Sequence, residues 1–274
     1  VVLVAPSIDA FSPKNQELDR ATVASILAVA GLNDGGDGGS PTFTREDGSP
    51  GRVERSAQLW EGGPLRAEDR MVLQVSRWDA LKDPMGVIGG FAEHIAPHEP
   101  DVHLVYAGPA VEAVSDDPEG GKVLADAKDA FEAMPEDVAR RVHLAALPME
   151  DPEENAAIVN ALQRRADIVV QKSIAEGFGL TVAEGMWKGR PLVASRIGGI
   201  QDQIVDGESG VLLDDPMDLE AYGAAVRDLL DDPDRAESMG RAAQERVRGQ
   251  FLGARSLMQY IDLSERLISK RGGT

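Results

Sequence analysis

Short apolar runs punctuate the chain at Met71–Ser76, Val102–Ala107, Val142–Leu147, Asp167–Gln171, Pro191–Ser195 and Gly210–Leu213. Val, Ile and Leu dominate them without polar alternation, the pattern of strands covered on both faces. Between them Met85–Ala96, Lys122–Met134, Pro152–Arg165 and Leu180–Lys188 carry helical spacing. Pro84 and Pro152 stand where a first helical turn tolerates proline. Alternation of this kind predicts an α/β fold with a Rossmann-like, doubly wound parallel sheet over residues 70–274. Helices from Pro216 to Lys270 close that domain.

The first part of the chain reads differently. Residues 1–32 form a strand, a loop and a helix, consistent with an inter-domain connection. Val1-Val2-Leu3-Val4 has the look of a strand already under way, so the chain is expected to be the back part of a longer protein. Residues 33–69 are rich in Gly and Pro (Gly35-Gly36-Asp37-Gly38-Gly39-Ser40-Pro41, then Gly48-Ser49-Pro50-Gly51). They predict a long, partly mobile surface loop or insertion.

Charge narrows the partners. Lys and Arg number 28 against 47 Asp and Glu, a formal net charge of -19. That field repels nucleic acids and anionic membranes. An anionic ligand must therefore be held by a few local cations or by backbone dipoles. With 42% hydrophobic residues the chain can bury a sizeable core. Cys is absent, which removes disulfides and thiolate metal sites and suits a reducing cytoplasm. No apolar run approaches the ~20 residues of a membrane helix, and no signal peptide is visible. A cytoplasmic location is expected; the oligomeric state, a homodimer included, is left open.

Chemistry should collect beyond the carboxyl ends of parallel strands. Arg77 follows the first strand of the main sheet, Gly108-Pro109 the second and Leu147-Pro148 the third. Gln171-Lys172-Ser173 follows the fourth and Ser195-Arg196-Ile197-Gly198-Gly199 the fifth. The sharpest stretch is Glu176-Gly177-Phe178-Gly179-Leu180-Thr181-Val182-Ala183-Glu184. Gly177 and Gly179 let the backbone approach a ligand, and a helix begins near Leu180. Free amides of Gly179, Leu180 and Thr181 can then face a phosphate. Glu176 stands where it could accept hydrogen bonds from sugar hydroxyls, and Glu184, one turn into the helix, could grip a ribose diol. Arg77 and Lys82 span a loop that can aim both cations at one diphosphate. Trp78 between them reads as packing.

Other chemistries lack their residues. No Gly-x-Gly-x-x-Gly follows a strand and no Walker loop is present. His94 and His98 have i, i+4 spacing, but Pro97 intervenes and no acidic partner completes a metal motif, so no metal site is assigned. His103 and His143 read as core or edge residues of strands.

Glu176 to Glu184 together with Arg77 and Lys82 resembles family 4 of the GT-B glycosyltransferases, whose nucleotide-binding domain is C-terminal. Pro6-Ser7-Ile8-Asp9, Pro13-Lys14-Asn15, Val75-Ser76-Arg77-Trp78-Asp79, Asp116-Asp117-Pro118-Glu119-Gly120, Gln171-Lys172-Ser173-Ile174-Ala175-Glu176 and Gly198-Gly199-Ile200 with Ile204-Val205-Asp206-Gly207 extend the likeness. It covers nearly all of the chain outside the insertion. The Asp116–Gly120 and Gln171–Ser173 details resemble its trehalose-type branch, which holds the trehalose glycosyltransferring synthases and also retaining trehalose phosphorylases.

The resemblance implies a retaining transfer of glucose from a nucleotide-diphosphate glucose (UDP-, ADP- or GDP-glucose) to glucose, forming trehalose. Arg77 and Lys82 would bind the donor diphosphate, Glu176 the donor glucose and Glu184 the ribose. Gly177, Phe178, Gly179, Leu180 and Thr181 would line the sugar and phosphates, and Gln171 would approach the base. Asp9 and Ser7 would line the cleft. Magnesium is compatible with a diphosphate, though no Asp-x-Asp motif demands it. The family's acceptor-binding N-terminal domain is missing from this sequence, so the chain alone is expected to turn over little. A phosphorylase on the same scaffold and a non-catalytic nucleotide- or sugar-binding module are the alternatives.

Overall fold

The computed structural model describes residues 4–35, 38–111 and 118–271. Most of the strand expected at Val1–Val4 falls outside them, as do Asp116 and Asp117. Helix α1 (Arg20–Val29) is the first helix of the described chain, capped by Asp19, which accepts the Thr22 amide at 2.7 Å. A hairpin of β1 (Thr42–Thr44) and β2 (Pro50–Arg52) follows, and then the main sheet begins.

That sheet has seven strands: β3 (Gln58–Glu61), β4 (Arg70–Val75), β5 (Val102–Pro109), β6 (Val142–Leu147), β7 (Ile168–Gln171), β8 (Leu192–Ser195) and β9 (Val211–Leu213). Their order is β3-β6-β5-β4-β7-β8-β9. All neighbours are parallel except β3, which pairs antiparallel with β6. The apolar runs therefore became strands where the pattern predicted them. Both faces are covered because successive side chains point to opposite sides. Met71, Leu73, Val105 and Val169 enter one core with α1, α5 (Pro152–Arg165) and α6 (Leu180–Trp187). Val72, Leu104, Tyr106 and Val170 enter the other with α2 (Pro84–Gly90), α3 (Pro118–Glu132) and α8 (Leu219–Asp231). Short α4 (Glu136–Ala139) and α7 (Ile200–Gln203) join strands, and α9 (Pro233–Gln250) and α10 (Gly253–Arg271) end the described chain.

Helix ends follow the sequence signals. Asp151 caps α5 by accepting the amides of Glu153 and Glu154 at 3.0 and 3.2 Å, with Pro152 in the first turn. Pro84 starts α2, which runs on into a π-helical turn, Phe91–Ile95.

The segment 33–69 is more structured than its Gly and Pro content suggested. Phe43, Val53 and Leu65 are buried in the core, giving the segment an apolar anchor. Arg45 bridges Asp151 and Glu153 at 2.6 Å each, and buried Glu154 accepts the amides of Glu54 and Arg55 at 2.6 and 2.8 Å. These bonds seat the hairpin on the start of α5 and leave β3 to cover the free edge of β6. The short strand β3 thereby becomes the edge of the sheet in place of β6.

His103 and His143 lie in β5 and β6, both buried, and their rings share a hydrogen bond of 2.9 Å between Nδ1 and Nε2. His143 Nδ1 meets Glu61 Oε2 of β3 at 2.8 Å, so this pair helps fix the edge strand. Burial pulls the His103 imidazole down to about 4.

Candidate functional site

The winding direction determines where a ligand can sit. From β4 the chain moves outward through β5 and β6, then returns and moves the opposite way through β7, β8 and β9. Strands β4 and β7 are thus adjacent at the reversal, and the loops leaving their carboxyl ends diverge to form a crevice. Those loops carry Arg77–Lys82 and Gln171–Gly179.

A buried side chain ties them together. Gln74, in β4 and wholly buried, donates from Nε2 to the Lys82 carbonyl at 2.8 Å and accepts the Lys172 amide on Oε1 at 3.0 Å. Beyond it, the 3₁₀ turn Ala80–Lys82 is capped by Asp79, which accepts the Leu81 amide at 2.9 Å. The Leu81 carbonyl accepts the amides of Ile174 and Ala175 at 2.8 and 3.4 Å, stitching one loop to the other. Beneath them Lys172 Nζ, fully buried, makes an ion pair with Asp83 Oδ2. Asp83 is held in the left-handed region at φ 49° and caps α2 through the Gly86 amide at 3.0 Å.

This framework brings Lys82 and Glu176 together. Lys82 Nζ lies 2.6 Å from Glu176 Oε2, each side chain only 14% exposed. Glu176 Oε1 accepts the Gly177 amide at 3.1 Å. The Glu176 loop rests on the loop after β8. Gly199 donates to the Gly177 carbonyl at 2.7 Å, and a Cβ at Gly198 (φ 47°) would overlap the Glu176 carbonyl oxygen. Buried Gln203 donates to the carbonyls of Phe178 and Gly179. Gly179, at φ 82°, begins α6, and no side chain caps that helix. Its first-turn amides therefore remain directed out of the helix beside Glu176.

The other sequence candidates are distributed around this centre. Arg77 is two-thirds exposed and donates to Asp79 at 2.8 Å, so its fork is not aimed at Glu176. Gln171 is buried, with Nε2 on Ser173 Oγ and Oε1 accepting Thr181 Oγ1, both at 2.8 Å; its side chain serves the interior. Trp78 packs against Tyr106 at 5.1 Å between ring centroids and donates to the Pro109 carbonyl. Glu184 is buried and turned toward the Pro13–Asn15 segment. Its Oε1 is 3.3 Å from Lys14 Nζ, while Oε2 is buried with no hydrogen-bond partner. Lys188, one turn on, donates to Asn15 Oδ1 at 2.9 Å, and burial pulls its ammonium down to about 7. Leu180 is half exposed at the start of α6.

Sequence reasoning did not single out Gln74, Asp83 or Gln203, and gave Lys14 no role. Buried polar side chains within apolar runs, as Gln74 is within Met71–Val75, were the available signal. Among the described residues no group of three or more His, Cys, Asp or Glu comes together to hold a metal. None of the described helices is long and apolar enough to cross a membrane.

Comparison with known proteins bears on this geometry. Residues 61–246 match the sequence profile of the family described as glycosyl transferases group 1. A trehalose synthase from Rubrobacter xylanophilus is 35% identical over 268 residues, covering 98% of this chain and 53% of that protein. The chain thus spans about half the length of the curated relatives it matches. A sucrose-phosphate synthase from Thermosynechococcus elongatus superposes with a TM-score of 0.61 at 26% identity, over 75% of this chain and 47% of that one. Anabaena HepE, solved in complex with UDP-glucose, superposes with a TM-score of 0.57 at 21% identity, over 74% and 49%; this shows likeness of fold. With a GT-B-type Rossmann-like domain and a profile match over most of its length, the chain belongs to the group 1 glycosyl transferases.

Proposed function

We propose that this chain is the donor-binding half of a retaining glycosyltransferase that moves glucose from a nucleotide-diphosphate glucose to glucose, forming trehalose. The observation that carries the reading is the contact of Lys82 with Glu176 beside the uncapped start of α6. A cation, a carboxylate and a row of amides at a topological switch point are the parts that a sugar joined to a diphosphate requires. The trehalose synthase relative and the UDP-glucose held by Anabaena HepE support this donor class.

The chemistry follows from charge. When the bond between the glucosyl carbon and the diphosphate oxygen breaks, negative charge grows on the diphosphate and positive charge on the sugar. Lys82 and the amides of Gly179, Leu180 and Thr181 would meet the first, with Arg77 swinging from Asp79 to add its fork. Glu176 would exchange Lys82 for the hydroxyls of the donor glucose. Glu184 Oε2, now without a partner, would accept a ribose hydroxyl, with Lys14 steadying Oε1. Gly177 and Phe178 would wall the sugar. The acceptor would be held by a part of the protein outside this chain.

The test is a full-length assay of trehalose formation from UDP-, ADP- or GDP-glucose and glucose, with the anomeric configuration followed by NMR. Lys82→Ala should lower kcat by roughly 10²–10³, as loss of one donor to developing charge does elsewhere. A Lys82→Ala enzyme of normal kcat would overturn the assignment. Turnover of trehalose with phosphate, but none with a nucleotide-glucose, would make the protein a phosphorylase. UDP binding with no turnover would make it a binding module.

A further inference from the structure

The opposite rim of the sheet carries a second cluster of cations. A cavity of about 480 Å³ lies between α1, the end of α5 and the amino-terminal ends of β4, β7 and β8. Five arginines line it, Arg20, Arg70, Arg164, Arg165 and Arg190, against three acids, Glu68, Asp69 and Asp167.

Three of the arginines are engaged. Arg70 pairs with Glu99 and Asp101 at 2.7 Å each, and Arg164 with Glu17 at 2.7 Å. Arg165 is bound to the Ala67 carbonyl at 3.0 Å and to Asp167 at 3.4 Å. Asp167 is itself committed, its Oδ2 accepting the Met71 amide at 2.7 Å. The other two are not. Arg190 Nε is buried with no hydrogen-bond partner, and Arg190 makes no ion pair among the described residues. Arg20 makes no side-chain hydrogen bond or ion pair among them either. Burial, with the charges of Arg164 and Arg165, holds the Arg190 guanidinium below the usual arginine range despite nearby Asp167.

A guanidinium whose Nε is buried without a partner carries a desolvation cost, and like charges beside it add to that cost. An oxyanion in the cavity would remove both penalties, since each guanidinium fork can bind two oxygens of one phosphate. The volume far exceeds that of a bare ion and falls within the ~300–1,000 Å³ of small-molecule sites. Leu18, Val23, Ala24 and Leu27 furnish an apolar wall for the remainder of the ligand.

We propose that this cavity is a second ligand site, distinct from the donor crevice, which binds the phosphate of a small phosphorylated metabolite through Arg20 and Arg190. The proposal does not depend on the donor assignment. Calorimetric titration with inorganic phosphate and with ribose 5-phosphate tests it, on the unaltered protein and on Arg20→Ala, Arg190→Gln and Lys82→Ala. Both probes should bind, ribose 5-phosphate the more tightly, and Lys82→Ala should leave that binding intact. Arg20→Ala and Arg190→Gln should each weaken it by roughly tenfold, the worth of one charged hydrogen bond. Arg20 is exposed at the first position of α1, so its variant reports on the site even if Arg190→Gln fails to fold. Tighter binding of inorganic phosphate, still sensitive to Arg20, would retain the site and make the free ion its ligand. No binding of either probe, or binding lost in Lys82→Ala and kept in Arg20→Ala, would overturn the proposal.

Discussion

Replacing Lys172 by Met should unfold the protein far more readily than any surface change. Lys172 Nζ is wholly buried against Asp83 Oδ2, and the Asp83 side chain is itself 9% exposed. Met preserves the length and apolar stem of lysine, so little packing is lost. What remains is a buried carboxylate with one amide, that of Gly86, to satisfy it. Removing one partner of a buried ion pair costs about 3–5 kcal/mol, most of it the penalty of the charge left behind. For a domain of this size that corresponds to a Tm lower by roughly 6–20 °C.

Urea unfolding followed by tryptophan fluorescence measures the loss directly, with buried Trp78 as one reporter. A double-mutant cycle then separates the pair from its surroundings. Asp83→Asn keeps an oxygen to cap Gly86 while removing the charge, so the double variant should be less destabilised than the two singles summed. A coupling of about 0.5–3 kcal/mol is the range for residues in contact. A Lys172→Met protein within about 0.5 kcal/mol of the unaltered one would refute the reasoning, as would additivity in the cycle.

Other consequences can be measured independently. Gly198→Ala should fold yet lose activity, because its Cβ meets the Glu176 carbonyl and φ there is 47°; trehalose formation and thermal unfolding measured on one preparation would reveal the split. Lys188 should make stability rise with pH above neutrality. Its folded pKa is pulled down to about 7, whereas the unfolded value is about 10.4, so between them the unfolded chain binds the extra proton. The penalty is full below the lower value and fades toward the upper. Urea midpoints at pH 7 and 9.5 should therefore diverge less in Lys188→Met than in the unaltered protein.

What the sequence disclosed was local. β6 is found at the residues predicted for it, because Val142-His143-Leu144-Ala145-Ala146-Leu147 is short, apolar and bounded. The start of α5 was legible because Pro152 is a first-turn residue, and the structure adds Asp151 as its cap. The strand β3 was not. Gln58-Leu59-Trp60-Glu61 lies between Gly- and Pro-rich stretches, and its partner β6 is supplied from far along the chain. The candidate site shows the same limit. Spacing alone suggested that Arg77 and Lys82 converge on one ligand. It could not reveal that Asp79, two residues on, takes Arg77, while Glu176, brought in by a neighbouring strand, takes Lys82.

Gln74 shows why such a site needs a polar residue in the middle of a strand. The loops after β4 and β7 each present one backbone group to the interior, the Lys82 carbonyl and the Lys172 amide. One is an acceptor and the other a donor. A carboxamide serves both at once, donating from its nitrogen and accepting on its oxygen. Leucine in this wholly buried position would pack well but leave both groups orphaned, at about 1–3 kcal/mol each. Glutamate would satisfy the amide and repel the carbonyl. The amide of Gln74 thus holds two loops in one register, and that register sets the distance from Lys82 to Glu176.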